Sequence, residues 1–117
     1  MRMWMVPPII MCRQHLLGEH LELHMFASCI KAGKNLKGYL ENGLLEPASI
    51  VSRHKELVFE MESRGYSHKT PLDDKIVSSY EVKIDQFASL KLLLERCPKC
   101  RENFGKERVC RCMVQSA

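Results

Sequence analysis

The chain has 117 residues, 45% hydrophobic and 27% charged, with a formal net charge of +4 from 18 Lys and Arg against 14 Asp and Glu. That length and balance fit one compact globular domain with an ordinary core and leave little room for a second. They hold no membrane-spanning run, and the charge is too mild to announce nucleic-acid binding by itself.

The opening Met-Arg-Met-Trp-Met-Val is apolar, but Pro7-Pro8 interrupts it, Arg13 follows, and no small-residue cleavage site is present, so it does not read as a signal peptide. The two prolines predict an extended arm over residues 1–10, with Trp4 as its packing anchor. Without an export signal the expected compartment is the cytoplasm, and the six cysteines read as reduced thiols or metal ligands before disulfides. Cys12 and Cys29 read as core thiols.

A first helix is expected over residues 11–31, ending near Gly33, with Gly18 inside it as a weak point or a place of close approach. At about 100° per residue, His15, Glu19, Glu22 and Phe26 form one stripe. Leu16, Leu23, Ala27 and Ile30 flank it on one side, and Leu17, Leu21 and Met25 on the other. Ionisable groups between apolar walls indicate a buried paired network or a lined cleft. Lys31, Lys34 and Lys37 follow as an unopposed basic group.

A short helical turn is expected over residues 36–41, closed by Asn42-Gly43. A clearer helix follows over residues 47–64, bounded by Pro47 and Gly65, with Ile50, Leu57, Val58 and Met61 as its apolar face and His54 beside it. Pro71 and Asp73-Asp74 mark residues 67–79 as a connection. A last helix, preceded by Asp85, carries Phe87, Leu90, Leu93 and Leu94 up to Arg96. The reading is an all-α single compact domain of three main helices over residues 1–96, with an extended N-terminal arm and a Cys-rich basic tail over residues 97–117.

The tail holds the chain's basicity. Residues 96–111 contain six basic residues against two acids. Cys97, Cys100, Cys110 and Cys112, spaced C-x2-C-x9-C-x-C, supply four thiols, the number a structural zinc requires; a frayed tail with incidental cysteines is the alternative. Rigid basic residues between such ligands would track DNA phosphate.

The segment Gln14-His15-Leu16, Glu19-x-x-Glu22-Leu23 lies a short way from Met1. An α-amino group has a pKa of about 7.7–8.0, against about 10.4 for lysine, and so offers a nucleophile near neutral pH. It can attack the anomeric carbon of a nucleoside where a carboxylate manages charge and protons. Glu22 is the candidate carboxylate, and the large Arg2 favours retention of Met1. These residues, together with Glu56-Leu57, Arg64-Gly65-Tyr66 and Lys69 downstream, resemble the phage-type pyrimidine-dimer DNA glycosylase, endonuclease V, over roughly residues 1–70.

The resemblance implies a monomeric all-α DNA-repair enzyme acting on double-stranded DNA without a catalytic cofactor. Met1 and Glu22 would be catalytic, with Arg2, His15 and Glu19 beside the substrate. Leu21 and Met25 stand where the phage enzyme carries arginines, and the phage enzyme's aromatic, basic C-terminus is replaced by the cysteine tail.

Other readings stay open. Glu22 can pair with Arg2 or Arg13 as a structural ion pair, and Glu19 can serve only to orient His15. A non-catalytic nucleic-acid-binding module with a zinc-bearing tail is one alternative function. A metal-dependent hydrolase using His15, Glu19, His20 and His24 is another, but H-x-E-x-H places the glutamate one residue away from its position in a zincin, so His20 and His24 read first as packing or surface residues.

Overall fold

The computed structural model describes residues 1–73, 75 and 81–107, and every regular element among them is helical. Five helices follow in order: α1 Arg13–Lys31, α2 Lys37–Glu41, α3 Ile50–Ser63, α4 Gln86–Arg96 and α5 Pro98–Lys106. Two 3-10 turns, Pro8–Ile10 and Pro47–Ser49, precede α1 and α3. The all-α, single-domain reading holds. Among the described residues no helix is long and apolar enough to cross a membrane.

The boundaries follow local chemistry. Gly33, Gly43 and Gly65 adopt positive φ just past the ends of α1, α2 and α3, the left-handed conformation in which glycine carries no Cβ penalty. The Asp85 carboxylate accepts the Ala88 N–H at 3.1 Å and caps α4. Gly18 is no place of close approach: a Cβ built there would meet nothing within 4 Å.

The arm is extended at first, then turns at Pro8–Ile10, and it contributes to the core. Met3, Val6 and Ile10 are buried with Leu16, Leu23 and Phe26 of α1, Leu57 and Met61 of α3, and Leu90 and Leu93 of α4. Trp4 is buried too, as an anchor should be. The Met3 N–H donates to the Leu44 carbonyl at 2.8 Å, and Arg64 donates to the carbonyls of Pro8 and Met11 at 3.1 and 2.8 Å.

The region after Arg96 departs from the sequence reading in one respect. Residues 98–106 form α5, which packs on α4 and on the Pro8–Ile10 turn. Pro98 at its first position is the sequence signal for that helix, and the Cys97 thiol accepts the Cys100 N–H at its N-terminus. Cys110 and Cys112 lie outside the described residues.

Candidate functional site at the N-terminal arm

The arm lies along α1 with its second residue at the candidate carboxylate. The Arg2 backbone N–H donates to Glu22 Oε2 at 3.2 Å. Consecutive residues are about 3.8 Å apart, so the Met1 amine lies within one residue of that contact. The Arg2 guanidinium lies over the Trp4 ring, 3.9 Å from its centroid, and donates to Ser89 Oγ at 3.0 Å. Ser89 in turn donates to the Trp4 carbonyl at 2.5 Å. Arg13 lies over Tyr66 instead, 5.1 Å from the ring centroid. Burial and the nearby Arg96 lower the Arg2 pKa, while Glu19 and Glu22 partly offset them. Arg2 Nε is buried with no hydrogen-bond partner.

Glu19 faces inward. Arg53 of α3 donates to both of its carboxylate oxygens, Nε to Oε2 at 2.6 Å and Nη2 to Oε1 at 2.9 Å, and Arg53 Nη1 reaches the Val6 carbonyl at 2.7 Å and Glu56 at 3.0 Å. Burial alone would lower the Arg53 pKa, but the two glutamates outweigh it and the value is raised. Sequence reasoning missed this partner. A signal existed: Arg53 and His54 lie three and four residues after Ile50 and before Leu57, in positions that the helical period assigns to the core.

His15 is one turn before Glu19, with its ring edge against Trp4 at 5.7 Å. Its Nδ1 points at sulfur: Cys12 Sγ is 3.1 Å away and Cys100 Sγ 3.7 Å, while Cys97 Sγ is 3.8 Å from Cys12 Sγ. These four ligand atoms lie within 4.8 Å of one another, an arrangement that could hold a metal ion. Cys97 and Cys100 thus converge as expected of a metal pair, and among the described residues Cys12 and His15 join them, Cys110 and Cys112 lying outside that set. Burial raises the Cys100 thiol to about 12. Burial also acts upward on Cys97, but hydrogen bonds from Cys100, Cys12 and Lys99 bring that thiol below its ordinary value. Burial lowers the His15 pKa, with Glu22 acting in the opposite sense.

Leu21 and Met25, on either side of Glu22, are 61% and 44% exposed, so the surface beside the carboxylate is apolar where cations would engage phosphate. A groove of about 440 Å³ lies elsewhere, lined by residues of α3 and by His68, Pro71 and Leu72.

A sequence model described as pyrimidine dimer DNA glycosylase matches residues 1–74, which include the arm, Glu22, and the Glu19–Arg53 pair. No curated protein and no solved structure matches the chain. The match spans well over half the sequence and ends a few residues after His68. The chain belongs to the pyrimidine dimer DNA glycosylase family.

Proposed function

We propose that this protein is a DNA glycosylase with abasic-site lyase activity, in which the Met1 α-amine is the nucleophile and Glu22 the catalytic carboxylate. The observation that carries the reading is the 3.2 Å contact from the Arg2 N–H to Glu22, which brings the chain's first residue to the acid. The amine nitrogen attacks C1′ of the damaged nucleotide and loses a proton as the C1′–base bond breaks, and the base leaves protonated. The C1′–O4′ bond then breaks, O4′ takes a proton from solvent, and the opened sugar is an iminium joining C1′ to Met1. Glu22 stabilises the positive charge and assists removal of a C2′ proton, after which the 3′-phosphate leaves by β-elimination. Water then hydrolyses the imine and frees the amine.

Arg2 is the cation beside the reacting sugar, held by Trp4 and Ser89. Glu19, gripped by Arg53 and 1% exposed, is a positioning residue that fixes α1 rather than a group that touches DNA. Leu21 and Met25 favour an abasic or otherwise unstacked lesion, which needs less phosphate grip than an intact dimer.

We also assign a structural zinc to Cys12, His15, Cys97 and Cys100. Zinc bonds of about 2.3 Å to sulfur and 2.0–2.1 Å to nitrogen set tetrahedral edges of about 3.8 Å between sulfurs and about 3.6 Å between sulfur and nitrogen. The 3.8 and 3.7 Å separations agree with those edges, while Cys12 Sγ and His15 Nδ1, at 3.1 Å, are closer than the edge requires. The ion would fasten α5 and its basic residues to the start of α1, close to the arm.

Borohydride trapping tests the chemistry. The protein with a free Met1, incubated with duplex DNA containing one abasic site, should become covalently joined to the strand, and acetylation of the N-terminus should abolish the adduct. A native protein that binds this DNA but traps nothing would leave a binding module in place of the enzyme.

A further inference from the structure

On the side of α1 away from Glu22, four histidines from three parts of the chain converge: His20 and His24 of α1, His54 of α3, and His68 of the segment after α3. His20 and His24 are each two residues from Glu22, about 200° around the helix. This cluster is therefore separate from the arm site.

The ring geometry is that of a shared centre. The centroids of His20 lie 4.9 Å from those of His24, His54 and His68, and His54 lies 5.0 Å from His24 and 5.2 Å from His68. One ring nitrogen from each residue falls within 4.8 Å of the others. His20 Nε2 and His54 Nε2 are 3.2 Å apart. Around a tetrahedral ion with metal–nitrogen bonds of about 2.0–2.1 Å, neighbouring nitrogens are about 3.3 Å apart.

Two of the nitrogens are buried without a partner. His24 Nε2 and His68 Nε2 are shielded from solvent and make no hydrogen bond, a costly state for a polar atom. The His24 ring has the Thr70 backbone as its other hydrogen-bonding neighbour, the kind of outer contact that fixes a ligand's tautomer and leaves the opposite nitrogen for a metal. Packing alone gives no reason for four imidazoles to face one another; a dication at their centre does.

We propose that His20, His24, His54 and His68 bind a divalent first-row transition metal, zinc being the reference ion, in a closed four-nitrogen site. Imidazole suits such ions, and four protein ligands leave no open position, so the role is structural. The ion pins the segment carrying His68 to α1 and α3 and forms one wall of the groove lined by His54, His68 and Leu72.

Cobalt(II) titration of the full chain, freed of metal by a chelator, separates this site from the cysteine site. Four nitrogens give visible d–d bands without the near-ultraviolet thiolate-to-cobalt charge transfer that sulfur ligands produce. The expected wild-type uptake is two equivalents, only one of them carrying charge transfer. The variant with Cys97→Ser and Cys100→Ser should keep one equivalent with d–d bands alone. The variant with His24→Ala and His68→Ala should keep only the charge-transfer equivalent. X-ray absorption on the wild type gives an answer should either variant fail to fold, with a nitrogen-only shell near 2.0 Å as the expected component. Wild-type cobalt confined to a sulfur-containing shell would overturn the site, as would a folded histidine variant with unchanged uptake and spectrum. Uptake of a single equivalent without charge transfer would keep the histidine site and remove the cysteine one.

Discussion

Arg53 grips Glu19 through two hydrogen bonds of 2.6 and 2.9 Å, and the two side chains are only 1% and 0% exposed. Two ions taken out of water this completely owe their stability to each other. Removing one should therefore be far worse than replacing both. Arg53→Met alone is expected to cost about 3–5 kcal/mol in a urea unfolding series, because it strands a buried carboxylate. The double variant Glu19→Met, Arg53→Met should recover most of that loss. Equal destabilisation by the single and the double change would show that the pair does not act as a unit. Arg53→Lys should rescue poorly, since an ammonium cannot form the paired contact.

Glu22→Gln keeps the shape of the side chain and can still accept the Arg2 N–H. It should leave the melting temperature within a few degrees of wild type and lower strand nicking at an abasic site by about 100-fold or more, the scale of a positioned acid–base group. Nicking measured under single-turnover conditions checks this, and a variant that nicks at the wild-type rate removes Glu22 from the reaction.

Gly18, inside α1, and Gly65, just past α3, should respond in opposite senses to the same substitution. Gly65 has φ +82°, and a Cβ there would meet nothing within 4 Å, so the cost of Gly65→Ala is purely conformational, about 1 kcal/mol. Gly18 lies inside α1 with equally open space and no positive φ. Gly18→Ala should therefore stabilise the protein by about 0.5–1 kcal/mol. Thermal melts of the two variants side by side provide the check.

Zinc at Cys12, His15, Cys97 and Cys100 would be linked to folding. At 100 times its dissociation constant a ligand bound only by the folded state stabilises by about 2.7 kcal/mol, which for a chain of this size corresponds to a rise of about 10 °C in Tm. Chelation should remove that increment and expose α5 to limited proteolysis. Cys100→Ser should behave like the chelated protein, with no further response to chelator at the cysteine site.

Much of the architecture could be read from periodicity and punctuation. α1 spans residues 13–31 where 11–31 was expected, and α3 with its preceding turn begins at Pro47 and stops before Gly65. Both helices present apolar residues to one core, Leu16, Leu23 and Phe26 on α1 and Ile50, Leu57 and Met61 on α3, interrupted by the buried Glu19, His20, Arg53 and His54. α5 was missed because its nine residues are predominantly polar and bury only Cys100. Long-range partners were hidden for another reason. Glu19 and Arg53 are 34 positions apart, as are His20 and His54, and Cys12 meets Cys100 across 88. Spacing advertises ligands that are close in sequence, so Cys97-x-x-Cys100 points to Cys110 and Cys112, which lie outside the described residues, while Cys12 and His15, which the fold brings beside it, read separately as a core thiol and a site histidine.

Ser89 holds both the Arg2 guanidinium and the Trp4 carbonyl, and it lies fifteen residues beyond the end of the family match. The Ile84 N–H likewise reaches back to Glu46, and the Cys100 thiol to the Cys12 amide. The portion of the chain that carries the family signature therefore borrows its scaffolding from the portion that does not. A fragment cut at residue 74 would retain every proposed reacting group yet lose the Ser89 contacts to Arg2 and Trp4. A transplant of this chemistry into another protein would have to bring the equivalent of α4 along.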